Sequence, residues 1–254
     1  MRFAATLLLV SACSNAVQRE SVGDLEVVTV RRAYNNAHLL TDGALTILVD
    51  AGLERDVDAL VEGFEAEGVD LSDLDAVVIT HGHSDHAGGA DELRERFGAA
   101  IVLGSGDEPL ASSGENDPLC PTDRMAENRL ETDQAERFTT YVPDHLVAEA
   151  TSLELGSLFD VDSDIAVHSL PGHTAGSVVV TAGATAFVGD LFRGSITGRA
   201  AVTHFYMCDL DDNTDDIAAL LEDIAPEATR FFAGHFGPLD RSAVTTLLEE
   251  RRAE

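Results

Sequence analysis

The stretch Thr80–Gly89 reads THGHSDHAGG and follows directly on the apolar run DAVVI, Asp75–Ile79. The chain has 9 histidines, and three of them fall here beside an aspartate. An apolar run of this length ending in glycine-rich polar sequence reads as a buried strand delivering a loop. In a tight turn after a strand, His81 and His83 share a face, because alternate residues point the same way. Asp85 and His86 lie one turn further on and can face a second position. Gly82, Gly88 and Gly89 allow the backbone to turn and a helix to pack close behind. Imidazole is the commonest side-chain metal ligand, and carboxylate is a usual companion for zinc. Four ligands cannot close two sites, so the spacing predicts further ligands downstream.

Candidates stand at the ends of later apolar runs. His173 sits in LPGHTAGS, Asp190 ends TAFVGD, and His235 ends FFAGH. Polar residues at several strand ends are the layout that gathers distant ligands at one edge of a sheet. Any one of these histidines alone reads as an ordinary satisfied side chain, as do His38, His145 and His168, which lack such company.

The set HGHSDH, PGHTAGS, VGD and AGH, in that order, resembles the metallo-β-lactamase superfamily, and NNAHLL and LVDAG upstream suit its opening strands. The resemblance covers most of the chain. It implies an α/β fold, a four-layer αββα sandwich of two mixed sheets flanked by helices. It also implies two metal ions. His81, His83 and His173 would hold the first, and Asp85, His86 and His235 the second, with Asp190 bridging. Zinc is the expected metal, with iron or manganese as alternatives. Paired divalent ions make hydroxide available near neutral pH, so the expected activity is hydrolysis of an ester, thioester, lactone or amide of a small molecule. Asp85, beside the nucleophile, is the expected catalytic proton carrier.

Substrate contacts are read from the same region. Arg193 and Arg199 could meet a substrate carboxylate, while Tyr34, His204 and Tyr206 could line the cleft, with Tyr206 donating to an oxyanion. GDLFRGSITGRA, Gly189–Ala200, resembles glyoxalase II and persulfide dioxygenases. The β-lactamases of the superfamily generally carry Cys or Ser where Asp190 stands, which argues against a β-lactam. Two further readings stay open: an iron-dependent oxidoreductase of the same fold, persulfide-dioxygenase-like, and a non-catalytic binding lipoprotein.

Sixteen Lys+Arg against 46 Asp+Glu leave a formal charge of −30. Such a field repels phosphate backbones, which excludes nucleic acid as a partner. The N-terminus MRFAATLLLVSAC has one Arg, a short apolar stretch and small residues before Cys13. That is a signal-peptide layout over residues 1–12, and VSAC resembles the bacterial lipobox that ends in a lipidated cysteine. The chain is therefore expected to be exported and anchored through Cys13, at the outer membrane facing the periplasm, with no other membrane contact. Residues 13–24 read as a polar tether and 25–254 as one domain, with a polar, proline-containing insertion at about 105–151 as the candidate lid. An oxidising compartment would permit a Cys120–Cys208 disulfide, though sequence separation leaves their contact open. Oligomeric state is not legible.

Overall fold

The computed structural model describes residues 16–196 and 199–253. The signal-peptide and lipidation readings, Cys13 included, lie outside the described residues.

The first sheet runs in sequence order: β1 (Ala16–Val22), β2 (Leu25–Arg32), β3 (Asn35–Thr41), β4 (Thr46–Val49), β5 (Ala76–Ile79), β6 (Ala100–Gly104) and β7 (His145–Val147). Its first four strands pair antiparallel and the rest parallel. The second sheet contains β8 (Ser152–Glu154), β9 (Ala166–Ser169), β10 (Val178–Ala182) and β11 (Thr185–Gly189). A small separate hairpin follows, β12 (Arg193–Gly194) with β13 (Ala201–Val202). The second sheet is then completed by β14 (Arg230–Ala233), parallel to β11, and β15 (Leu239–Asp240). The principal helices are α1 (Val57–Ala66), α2 (Ser84–Ala87), α3 (Ala90–Phe97), α4 (Glu108–Ser113), α5 (Arg124–Gln134), α6 (Leu155–Phe159), α7 (Leu210–Ala219) and α8 (Arg241–Ala253).

The strands are apolar on both faces because both faces are covered. Ile47, Val49, Ala76 and Val78 meet Val178, Val180, Phe187 and Phe232 between the sheets. One residue along, Leu48, Val77 and Ile79 face outward against Leu60, Val61 and Phe64 of α1 and Leu93 of α3. On the far side, Val188 and Phe231 pack against Ile217 of α7 and Val244, Leu247 and Leu248 of α8. The period-two alternation of each strand thus divides its side chains between two cores. The result is the αββα sandwich.

Two boundaries differ from the sequence reading. The polar segment expected to be a tether forms β1, paired with β2 along its whole length from Ala16↔Arg31 to Val22↔Leu25. It is an edge strand with mostly exposed or half-exposed side chains, so main-chain pairing holds it and apolar pattern could not reveal it. The insertion expected at about 105–151 also ends earlier than read. Its last part, β7, extends the first sheet beside β6, and its α5 lies over the mouth of the site described next.

Candidate metal centre

All the expected ligands emerge at one edge of the sandwich. β5 ends at Ile79 and releases Thr80 into the histidine loop; β11 ends at Gly189, immediately before Asp190; β14 ends two residues before His235. His173 lies in the loop joining β9 to β10. Strands β11 and β14 are parallel neighbours with a register shift at Phe187/Gly189. That bulge, at a glycine with φ +50°, turns the Asp190 side chain toward β5. A Cβ at Gly189 would stand 2.5 Å from Thr80 Oγ1, so the two sheets approach closely here.

Asp190 is the hub. Its Oδ2 lies 3.7 Å from His81 Nε2, 3.3 Å from His86 Nε2, 3.9 Å from His173 Nε2, 3.3 Å from His235 Nε2 and 2.9 Å from His204 Nε2. Asp85 Oδ2 lies 3.8 Å from His86 Nε2 and 3.6 Å from His235 Nε2. Three groups, His81/His83/His173, His81/His86/Asp190 and Asp85/His86/His235, each place their ligand atoms within 4.8 Å of one another. The expected seven residues are therefore brought together. His204, read only as a cleft-lining residue, is brought in with them and forms a fourth such group with His173 and Asp190.

Three of the rings are oriented from behind. Asp50 Oδ2 accepts Nδ1–H of His86 at 2.8 Å, and the same carboxylate accepts the Thr80 backbone N–H at 2.8 Å. His235 donates Nδ1–H to Tyr34 O at 3.1 Å, and His83 donates Nε2–H to Asp117 Oδ1 at 2.7 Å. Asp107 joins two ligand loops: it accepts Gly82 N–H and Thr174 Oγ1–H, each at 2.7 Å, and Gly176 N–H at 2.8 Å. A ring anchored at one nitrogen offers the other as a lone pair, the arrangement found around metal ions.

The inward atoms fit a cation. His81 Nε2, His86 Nε2 and His204 Nε2 are buried and have no hydrogen-bond partner. A buried nitrogen or carboxylate oxygen left so is costly unless something binds it. The surrounding carboxylates favour positive charge within the cluster. Burial opposes charge on His86, but Asp190, Asp50 and Asp85 outweigh it and hold the ring well above the usual imidazole range. Burial, reinforced by His86, His173 and His83, pushes His81 well below it. Burial would raise the Asp190 carboxyl; His204, His235 and His86 overcome that and hold it well below the carboxylate range. Nitrogen and carboxylate donors in this mixture suit zinc and its neighbours.

A cavity of about 230 Å³ opens onto this centre. His83, Asp85, Asp190, His204 and His235 lie in its wall, and Leu53, Leu119, Met125, Phe205 and Phe236 give it apolar sides. Tyr34 and Tyr206 line it as expected, but Tyr206 already donates its hydroxyl to Asp133 Oδ2 at 2.7 Å. The expectation that Tyr206 awaits an oxyanion is thus corrected, since Asp133 is the nearer acceptor. Arg129 donates to Tyr34 Oη and to Asp133, so the rim carries a linked Tyr34–Arg129–Asp133–Tyr206 chain.

Neither arginine reading survives. Arg193 is buried behind Phe205, its guanidinium carbon 3.8 Å from the ring centroid, with Asp123 Oδ2 at 3.7 Å. It supports the cavity wall from outside. Arg199 is exposed and is absent from the described lining residues. Both are expected near substrate because they follow Asp190 closely, but of the described residues between β12 and β13 it is Ile196 that lines the cavity, and neither arginine does. His38 donates and accepts within the core, 2.8 Å from Thr29 Oγ1 and 3.1 Å from Ala233 O, and burial lowers its pKa to about 4.

Asp50, Asp107, Asp117, Arg129 and Asp133 were not singled out from sequence. LVDAG carried a signal for Asp50; the others stand in polar stretches without a distinguishing pattern. The open question about the cysteines is answered by a Cys120–Cys208 disulfide, S–S 2.04 Å, which staples the insertion to the segment after His204.

A sandwich of this topology with histidines and aspartates gathered at one sheet edge defines a metal-binding α/β hydrolase scaffold. A family model described as the metallo-beta-lactamase superfamily matches residues 30–235, and the chain belongs to that superfamily. It is 29% identical over 189 residues to "Probable metallo-hydrolase YybB" of Bacillus subtilis (strain 168), covering 74% of each chain. It is 28% identical over 235 residues to "Hydroxyacylglutathione hydrolase GloC" of Haemophilus influenzae, covering 91% of this chain and 96% of that one. Among solved structures, Rm3 metallo-beta-lactamase superposes with a TM-score of 0.67 at 18% identity, covering 98% of this chain and 96% of the other. SMB-1 in complex with mercaptoacetic acid gives 0.66 at 20%, covering 95% of both. At these identities the structures speak for the fold.

Proposed function

We propose that the chain, a hydrolase of the metallo-beta-lactamase fold, uses two zinc ions to cleave an ester, thioester, lactone or amide bond of a small molecule. The observation that carries this reading is Asp190 Oδ2, with five imidazole nitrogens within 3.9 Å. When bound, a pair of divalent ions polarises a carbonyl and lowers the pKa of a shared water. The rest falls to the chain. His81, His83 and His173 would hold one ion and Asp85, His86 and His235 the other, with the Asp190 carboxylate within reach of both sets. Asp85, whose side chain is 25% exposed and in the cavity wall, accepts the proton of the attacking water and passes it toward the leaving group. The apolar sides of the cavity exclude bulk water from the carbonyl, and the Tyr34–Arg129–Asp133–Tyr206 chain forms its polar rim. Similarity to a hydroxyacylglutathione hydrolase puts thioesters first among the four bond types.

Export and a lipid anchor at Cys13 complete the proposal. They are supported by the N-terminal sequence and by the disulfide, a bond that persists in oxidising compartments. Among the described residues, no helix is long and apolar enough to cross a membrane.

The test is metal analysis of the purified protein with a panel of ester, thioester, lactone and amide substrates. Two zinc per chain, with turnover abolished by chelation and reduced at least about 100-fold in Asp85→Ala, is the expected result. Iron with oxygen uptake would replace the hydrolase reading by the oxidoreductase one. Binding of no metal would overturn both.

A further inference from the structure

We propose that His204 is an eighth donor of the metal centre, binding the ion held by His81, His83 and His173 through Nε2. This rests on the dinuclear reading above and adds a ligand from outside the sequence motifs.

Four observations converge on it. His204 is 3% exposed, and its Nε2 is the imidazole nitrogen nearest the hub, 2.9 Å from Asp190 Oδ2. Beyond that oxygen, Nε2 has no hydrogen-bond partner. The ring sits among the other donors, its centroid 5.1 Å from His173 edge-on and 5.0 Å from His235 stacked at 20°. Its Nε2 lies within 4.8 Å of ligand atoms of both His173 and Asp190, so it shares those two residues with the first ion's expected set.

The ring is also anchored as a ligand is. Nδ1 lies 3.1 Å from the main-chain oxygen of Tyr206, as that of His235 lies 3.1 Å from Tyr34 O. When Nδ1–H is donated to that carbonyl, the lone pair of Nε2 faces the centre. The Tyr206 main-chain nitrogen lies 3.2 Å from the same Nδ1. The opposite tautomer would accept from it and make His204 only a hydrogen-bond donor to Asp190.

The segment carrying His204 is held firmly enough to position a ligand. Thr122 Oγ1–H donates to His204 O at 2.6 Å, Thr122 N–H to Phe205 O at 2.9 Å, and Met207 N–H to Cys120 O at 2.8 Å. The Cys120–Cys208 disulfide closes the same pairing. Five contiguous residues, 204–208, therefore run along 120–122 with hydrogen bonds and one covalent bond, a degree of support an idle surface histidine does not need. A helix of the insertion then roofs the cavity directly beyond the staple.

The experiment titrates the metal-free full chain with Co(II) alone, following the visible ligand-field bands and competing with a chelator. Variants are His204→Ala and His204→Gly, the latter with and without added imidazole. The wild type is expected to take two ions. His204→Ala should weaken one of them by at least about tenfold and change the intensity of its bands, reflecting a lost ligand. Imidazole should restore both in His204→Gly. Unchanged affinity and bands in His204→Ala would overturn the proposal and leave the dinuclear reading standing. So would failure of imidazole to restore His204→Gly, which would assign the effect to the loop. A wild type that takes up no cobalt would overturn the dinuclear reading and this proposal with it.

Discussion

The Asp50 carboxylate lies 2.8 Å from Nδ1 of His86, across the interval between the end of β4 and α2. Asp50 is fully buried and holds a left-handed backbone conformation, φ 67°, unusual for a residue other than glycine. Such strain persists where surrounding bonds over-determine it. Here they do, because the same carboxylate also accepts the Thr80 backbone N–H and hydroxyl. Replacing Asp50 by Asn removes a charge but little volume. The expected outcome is metal affinity lowered by about 10–100-fold at one site, with the fold retained. Chelator competition and far-UV circular dichroism would check the two parts separately.

Asp107 tests the joint between the two ligand loops. Asp107→Ala leaves the Gly82 and Gly176 N–H groups without their acceptor in a buried region, while the Thr174 hydroxyl keeps Ser177 Oγ. At about 1–3 kcal/mol for each unsatisfied group, a loss of at least about 2 kcal/mol in chemical denaturation is expected. A loss under about 1 kcal/mol would mean that water replaces the carboxylate there.

Gly234 tests how tightly the centre is enclosed. A Cβ at this position would lie 2.4 Å from His86 Cε1 and 2.6 Å from Asp190 Oδ1. Gly234→Ala therefore cannot be accommodated without moving two expected ligands. The metal-free protein should lose about 1–3 kcal/mol to overpacking, and metal titration should show weakened binding. Wild-type affinity in this variant would contradict the close approach of β14 to the ligand loop.

Reduction tests the staple. The disulfide closes a span of 88 residues. Its removal in Cys120→Ser/Cys208→Ser should cost about 2–4 kcal/mol of stability. The readout specific to the site is KM, which should rise more than kcat falls, because α5 and the His204 segment are then joined by hydrogen bonds alone. Thermal melts and steady-state kinetics with the best substrate of the panel would measure both.

Asp216 supplies the pH dependence. Burial lifts its carboxyl to about 6, even though Gly172 N–H donates to it at 2.6 Å and acts in the opposite sense; Asp212 and Asp215 add to the rise. A raised carboxyl binds its proton more tightly in the folded than in the unfolded chain. Stability therefore falls as pH rises from about 4 through 6, and the deficit is complete above 6. Asp216→Asn keeps an oxygen for Gly172 and removes the titration. Its melting temperature should exceed the wild type's at pH 8, and the difference should vanish near pH 4. A difference constant with pH would assign the effect to packing.

Much of this architecture is legible in the chain because it depends on short-range pattern. HGHSDH places four donors within six residues, so a single strand followed by a tight turn aims them all. Asp190 and His235 are legible because each ends an apolar run, and buried strands in an α/β sandwich end at a common edge. The inter-sheet core follows from the same alternation, with Val77 and Ile79 toward the helices and Ala76 and Val78 toward the other sheet. Edge strand β1 escaped notice because solvent on its side chains leaves no apolar period.

Tertiary structure alone decided which polar residues support that edge and which merely follow it in sequence. His204 reaches Asp190, while Arg193, only three residues after Asp190, is turned behind Phe205. Asp107 and Asp50 act on loops 25 and 36 residues away, through carboxylates whose partners are backbone N–H groups, two threonine hydroxyls and one ring nitrogen. Backbone donors have no residue identity, so no pattern in the sequence marks their acceptors. The chain's local spacing determined that a metal centre would form at one sheet edge. The order of strands in the second sheet, the β12–β13 hairpin and the 120–208 staple decided its outer wall. Those relationships join distant segments by packing and hydrogen bonds, whose geometry exists only once both sheets are closed on each other.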